Sequence, residues 1–261
     1  MGHAMTRIAS YVELGANLGL GVEAVWTSIA QQAVDYRVLP DGRCDIILKF
    51  SANVGPITDL TVVVTGPTTT YYDVAVASGM GFVGIRLLPG FFRSVLGFKP
   101  GDLRGKALVG KAAVLACPPL AQLCADANTP DALPERLLAF VRSRCGRRLV
   151  LPSVQTRRIL GALHASSGRL SVSEIAQMHG LSTRSVQRIV LDATGLPPKS
   201  YGRILQFHRA LRLLRDHRLS PSDAAYEAGY ADQSHMTHTL QRFGGLSPAR
   251  LPDVTLVTLR T

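Results

Sequence analysis

Residues 224–248 read AAYEAGYADQSHMTHTLQRFGGLSP, and the architecture of the C-terminal part turns on them. Ala225 is a small residue on a short apolar segment, as needed where two helices cross closely. Gly229 follows, at a place where a helix end calls for a positive φ. Tyr230 is apolar enough to anchor the turn, and Asp232 is a natural N-cap for the next helix. Within that helix Met236, Leu240 and Phe243 recur at spacings of four and three, which predicts an inward face. The other face carries Gln233, His235, Thr237, His238 and Gln241. These are hydrogen-bonding side chains with few fixed charges, suited to reading donors and acceptors on a partner.

The same plan occurs 49 residues earlier, in EIAQMHGLSTRS. Ala176 aligns with Ala225, Gly180 with Gly229, and Ser185 with Ser234. After a one-residue insertion Val186 aligns with Met236, Val190 with Leu240, Gly195 with Gly245, and Pro198 with Pro248. Leu181 takes the place of Tyr230, and Ser182 or Thr183 the place of the cap. Val186, Ile189 and Val190 point inward, while Arg184, Gln187 and Arg188 point out. Each copy is a helix-turn-helix, with second helices expected near 183–194 and 232–243. Such a helix fits the major groove, where Arg reads guanine and Gln reads adenine through paired hydrogen bonds. Between the copies, Ile204, Phe207, Leu211 and Leu214 form a helical core stripe with Arg203, Arg209, Arg212 and Arg215 off it. This predicts a stiff spacer setting the distance between two recognition helices, about one duplex turn if both meet one face.

Charge agrees. The chain of 261 residues has a formal net charge of +11. Residues 147–261 hold 16 Lys and Arg against 7 Asp and Glu, so the excess sits beside the repeat. A basic domain attached to a nearly neutral one points to a polyanionic partner. The four cysteines, Cys44, Cys117, Cys124 and Cys145, form no C-x-x-C and no zinc spacing, which predicts free thiols and no metal. His235 and His238 share a helical face but lack a third ligand placed nearby, so a DNA-facing or solvated role is expected. No cofactor motif is present. No signal peptide opens the chain and no apolar stretch suits a membrane span, so a cytoplasmic protein is expected. Residues 1–4 read as an expression scar.

The first half has a different texture. Val22–Ala30, Cys44–Phe50 (CDIILKF), Leu60–Thr65, Tyr71–Ala77 and Gly81–Leu88 read as short strands separated by Gly and Pro joints. Asp41, Arg43 and Asp45 flank Cys44 and are candidate pocket residues, although loop closure explains Asp41 equally well. Phe91–Gly97 reads as a short helix. In residues 134–144 (PERLLAFVRSR) the stripe of Leu137, Leu138 and Val141 suits either a core helix or a dimer seam. The expected fold class is α+β. A β-rich domain occupies 1–125, a linker or amphipathic helix 126–151, a double helix-turn-helix domain 152–252, and a tail 253–261, with the boundary between Gly146 and Pro152.

The C-terminal hundred residues resemble the DNA-binding domain of the AraC/XylS transcription regulators. In that family the second unit reads A-x-x-x-G-[FY]-x-[DS]-x-S-x-F-x-R-x-F-[KR]-x-x-x-G-x-[ST]-P. Ala225, Gly229, Tyr230, Asp232, Ser234, Gly245, Ser247 and Pro248 fit. Met236 and Leu240 replace Phe and stay apolar; His238 replaces Arg, losing its fork and fixed charge. RVLPDGRCDIILKF, Gly66-Pro67 and GIRLLPGFF are similar to cupin-like domains fused to a subset of these regulators. The resemblance implies a non-enzymatic bacterial regulator that binds double-stranded DNA and meets RNA polymerase. It also implies an N-terminal domain that senses a small-molecule effector, forms a homodimer, or both; it names no effector. DNA contact is expected from Thr183, Arg184, Ser185, Gln187 and Arg188. In the second unit it is expected from Gln233, Ser234, His235, Thr237, His238, Gln241 and Arg242. A related arrangement joins such a domain to a metal-bound, alkyl-accepting cysteine, but that chemistry needs clustered cysteine ligands.

Overall fold

A computed structural model of the chain describes residues 9–16, 21–52, 57–125, 129–145 and 151–248. The tail, residues 1–4 and the 146–150 boundary lie outside the described residues. A β-rich domain comes first and a helical domain second, so the α+β class expected from the sequence is the one observed.

The β domain is built on one antiparallel sheet of six strands. They are β1 (Ala9–Ala16), β2 (Val22–Ala30), β4 (Cys44–Ser51), β5 (Thr58–Thr65), β7 (Met80–Leu87) and β8 (Ala107–Val109), in the order β1-β2-β7-β4-β5-β8. A separate two-stranded ribbon pairs β3 (Val34–Val38) with β6 (Tyr72–Val76). β4 shows why the sheet has two different faces. Cys44, Ile46, Leu48 and Phe50 alternate with Asp45, Ile47, Lys49 and Ser51, and only the first set is buried. Period-two alternation sends them to opposite sides. The buried side continues through Val62, Val64, Val83 and Ile85 and packs on α1 (Phe92–Leu96), α2 (Lys111–Ala116) and α3 (Leu133–Cys145). Each such side chain contributes about 1.5–3 kcal/mol on burial.

α3 follows one of the two courses that its stripe leaves open. Leu137 and Val141 fill this core together with Leu133 and Phe140, so the segment is an amphipathic helix whose apolar face packs on the sheet.

The helical domain comprises α4 (Val154–Ala165), α5 (Val172–Met178), α6 (Thr183–Thr194), α7 (Pro198–Arg215), α8 (Pro221–Ala228) and α9 (Gln233–Gly244). Two cores form, one per repeat. Ile159, Leu163, Ile175, Val186 and Val190 gather around Tyr201, Ile204 and Leu205 from the first half of α7. Ala225, Met236, Leu240 and Phe243 gather around Phe207, Leu211 and Leu214 from its second half. The spacer is therefore a structural member of both units. It also buries Tyr201, Leu205 and His208, beyond the single stripe that its sequence suggests.

The turn from Leu39 to Arg43 docks the β domain against α7. Leu39 is buried in the second helical core. His208 Nε2 lies 2.8 Å from the Pro40 carbonyl oxygen, and as the Nε2–H tautomer it donates to it. Gly42 has φ +68 and sits so close to the Tyr201 ring that a Cβ would lie 2.7 Å from it. The ends of both second helices are held too. Gly90 N–H donates to Ala193 O at 2.9 Å, and Arg104 Nε to Gly195 O at 2.8 Å. Arg37 Nη1 reaches Gly244 O at 3.4 Å.

Candidate nucleic-acid interface

Each second helix starts on a side-chain cap. Ser182 Oγ accepts from Ser185 N–H, and Asp232 Oδ1 from His235 N–H at 2.7 Å. A cap of this kind stabilises a helix by about 1 kcal/mol. The preceding turns use Gly180 at φ +62 and Gly229 at φ +79. Ala176 and Ala225 are buried where the helices cross.

On α6, Val186 and Val190 are buried, Ile189 is half-buried, and Thr183, Arg184, Gln187 and Arg188 are exposed. On α9, Met236, Leu240 and Phe243 are buried, and Gln233, Ser234, His235, His238, Gln241 and Arg242 are exposed. The predicted recognition residues thus collect on two solvent-facing helical surfaces. Two are more locally committed. Ser185 is half-buried, its hydroxyl 2.9 Å from Ser182 Oγ, and the Thr237 hydroxyl donates to Gln233 O at 2.9 Å. His235 stands edge-on to the Tyr230 ring, with centroids 5.2 Å apart, which restrains its orientation.

Lys199 carries no signal in the repeat pattern. It joins Arg184, Gln187, Arg188 and Leu191 along a groove beside α6. It stands in the first turn of α7, just after Pro198, where the repeat register gave no reason to look for a contact.

The four histidines at 164, 179, 208 and 217 divide by burial. His208 is buried against Pro40, and His164 Nε2 lies 2.7 Å from the Tyr201 hydroxyl. Burial, reinforced at His164 by the nearby Arg43 charge, lowers each imidazole to a pKa of about 4. His179 is partly buried and His217 exposed. Among the described residues no three His, Cys, Asp or Glu side chains cluster as metal ligands. Burial raises the thiols of Cys44, Cys117 and Cys145, the opposite of what a reactive thiolate needs.

A second site lies on the other face of the sheet, under the β3–β6 ribbon. It is a cavity of about 540 Å³ whose walls include Tyr11, Trp26, Tyr36, Tyr72 and Phe82. The Ser28 and Tyr36 hydroxyls meet at 3.3 Å on its wall. Beside it, Arg86 is buried with Glu13 at 3.4 Å, Asp41 at 3.5 Å and Asp45 at 3.7 Å. Burial raises the Asp45 carboxyl, while Arg86 draws it back down. Asp41 and Asp45 thus serve an ion cluster at the cavity's edge, and Asp41 also closes its loop by accepting from Arg43 N–H at 2.8 Å. Arg43 turns away, towards Glu23 and the helical domain. The cavity was legible only in part: period two places Trp26, Ser28, Ile47 and Lys49 off the core face, but the ribbon that covers them is a long-range pairing.

Comparison with known proteins bears on both halves. Residues 175–252 match a helix-turn-helix domain family, and residues 16–108 match a domain of unknown function, DUF6597. The HTH-type transcriptional activator RhaS of Escherichia coli (strain SE11) is 34% identical over 74 residues. RhaS of strain K12 / DH10B shows the same identity over the same length. That segment is 28% of this chain, which spans only 27% of the length of these relatives. Among solved structures, ToxT from Vibrio cholerae aligns over 84% of this chain and 96% of its own, at 12% identity and a TM-score of 0.45. The C-terminal domain of AraT from Geobacillus stearothermophilus aligns over 42% of this chain and 93% of its own, at 19% identity and a TM-score of 0.37. No described helix is long and apolar enough to cross a membrane.

Proposed function

We propose that this chain, which carries an AraC-type helix-turn-helix domain, is a sequence-specific DNA-binding transcription regulator. Its helices α6 and α9 enter successive major grooves of one duplex. The observation that carries this reading is the pair of exposed polar helix faces, each backed by its own buried core and both tied to α7. Arg184, Arg188 and Arg242 supply charge to phosphates, giving affinity without sequence preference. Gln187, Gln233 and His235 present groups that read base edges.

The β domain is the sensing element in this reading. Its cavity and its contact with α9 share one wall. Tyr36, Val38 and Tyr72 face the cavity, while Arg37 on the same ribbon reaches the Gly244 carbonyl and stacks over Tyr71 at 4.3 Å. An occupant that shifts the ribbon shifts the end of a recognition helix. In the cytoplasmic regulator so described, RNA polymerase is the downstream partner and a homodimer is a compatible state.

The test is selection of bound fragments from genomic DNA, followed by fluorescence anisotropy on the selected duplexes. A salt-dependent preference for one site over scrambled duplex is expected. Equal affinity for selected and scrambled DNA overturns the proposal.

A further inference from the structure

The cavity under the β3–β6 ribbon has charges of one sign only. Its lining includes Lys49 and Lys106 and no Asp or Glu. Lys106 is exposed near the entrance, beside Gly105. Lys49 is different: it is half-buried on the cavity floor and makes no ion pair or hydrogen bond with the described residues. Its stem is half-buried against the floor, while its ammonium keeps some contact with solvent and is free to take a counter-ion.

The floor also has a direction. β4 lays Asp45, Ile47 and Lys49 on this face, so the two charged positions lie roughly 13 Å apart along the strand. At the Asp45 end Arg86 faces three carboxylates, Glu13, Asp41 and Asp45, which leaves no call there for a further anion. Trp26 Nε1 sits beside Asp45 there without making a well-formed hydrogen bond. Between the ends the walls are aromatic and aliphatic. The site therefore offers an apolar slot with an ion-paired, acid-rich cluster at one end and a cation without a described counter-charge at the other.

We propose that this cavity binds a small organic monoanion with an apolar body, a monocarboxylate, its carboxylate against Lys49. The body lies along β4 between Trp26, Tyr36, Tyr72 and Phe82. One inner cation matches one negative charge, and the walls provide nothing for a polyhydroxylated ligand beyond a few hydroxyls. The inference rests on the sensing role proposed above, and names the class of molecule sensed.

Trp26 is the chain's single tryptophan and forms part of the wall, so its fluorescence reports occupancy directly. The experiment titrates the full chain with 4-phenylbutyrate and, separately, with the neutral 4-phenylbutyramide. The carboxylate should shift Trp26 emission saturably and bind about tenfold or more tighter than the amide, as expected for a charge-assisted hydrogen bond. Lys49→Met should erase that preference while leaving amide binding in place, and Lys49→Arg should restore it. Thermal melting of each variant shows whether it is folded. Equal binding of acid and amide, no saturable response to either, or a preference that survives Lys49→Met overturns the proposal. Anisotropy on selected DNA with and without 4-phenylbutyrate separates the two readings. Loss of anion binding with DNA recognition intact sinks the ligand class alone. Anion binding that leaves DNA affinity unchanged supports the ligand class and sinks the sensing role.

Discussion

The Arg43 guanidinium donates from Nη1 to the Tyr201 hydroxyl at 2.8 Å, across 158 positions of sequence and across the boundary between the two domains. Both side chains are buried. Arg43 also makes a two-pronged contact with Glu23, and the Tyr201 hydroxyl meets His164. A charge is thus held inside the domain interface by a partner from each side. Such a pair adds little net stability, but breaking it leaves an unpaired buried charge, and that is costly.

Tyr201→Phe tests this directly. The ring and its packing remain, while Arg43 Nη1 and His164 Nε2 both lose a partner. A stability loss of about 1–3 kcal/mol is expected in urea denaturation. No change would mean that the interface adjusts without the hydroxyl.

Gly195→Ala should loosen the same interface at another point. Gly195 has φ +73, and a Cβ there would lie 2.7 Å from Gly101 N and 2.8 Å from the Pro100 carbonyl carbon, which are backbone atoms that cannot swing aside. A loss of roughly 1–3 kcal/mol for a non-glycine residue held in such a backbone conformation is expected. Thermal melting measures it, and limited proteolysis shows whether the domains separate.

Recognition and affinity should divide between neighbouring residues. Gln187→Ala should relax preference at one or two base pairs, costing about 1–3 kcal/mol on the selected site, with an unchanged melting temperature because Gln187 is exposed. Arg188→Ala should weaken all duplexes alike and flatten the salt slope by about one. Anisotropy across a salt series distinguishes them.

His238→Arg should strengthen binding. The residue is exposed on α9, and arginine adds a fixed charge and a fork of donors at a position where imidazole has neither. A steeper salt dependence is expected. Unchanged affinity would place His238 away from the phosphates.

Acid should weaken the domain interface. His208 is neutral in the fold, with a pKa near 4, whereas an unfolded histidine titrates near 6.5. Between those values the unfolded chain binds more protons, so stability falls as pH drops from about 6.5 to about 4. His164 acts in the same direction. Asp45 acts in the opposite one, because its carboxyl is raised in the fold. The comparison is therefore with His208→Gln, which has a donor for Pro40 but does not titrate. The wild type should lose stability relative to this variant over that window, as read by thermal melting at each pH.

Helices α6 and α9 were legible residue by residue, because their signals are local. Gly180, Gly229, Ser182 and Asp232 act on backbone atoms within a few positions of themselves. Val186 and Val190, or Met236 and Leu240, disclose an inward face through spacing alone. Most strands of the β domain were legible for the same reason, but β1, β3 and the short β8 carried too little pattern to find.

What lay beyond reach was destination. The stripe of Leu137 and Val141 suits a partner subunit as well as a sheet, and only packing sent it to the sheet. His208 looks like any histidine on an arginine-rich helix until Pro40 is brought beneath it. Lys49 is one lysine on a strand until the β3–β6 ribbon closes over it. Periodicity reports which side chains avoid water, a property of each segment. Which surface each one meets depends on contacts between residues far apart in the chain, and those exist only once the domains have folded against each other.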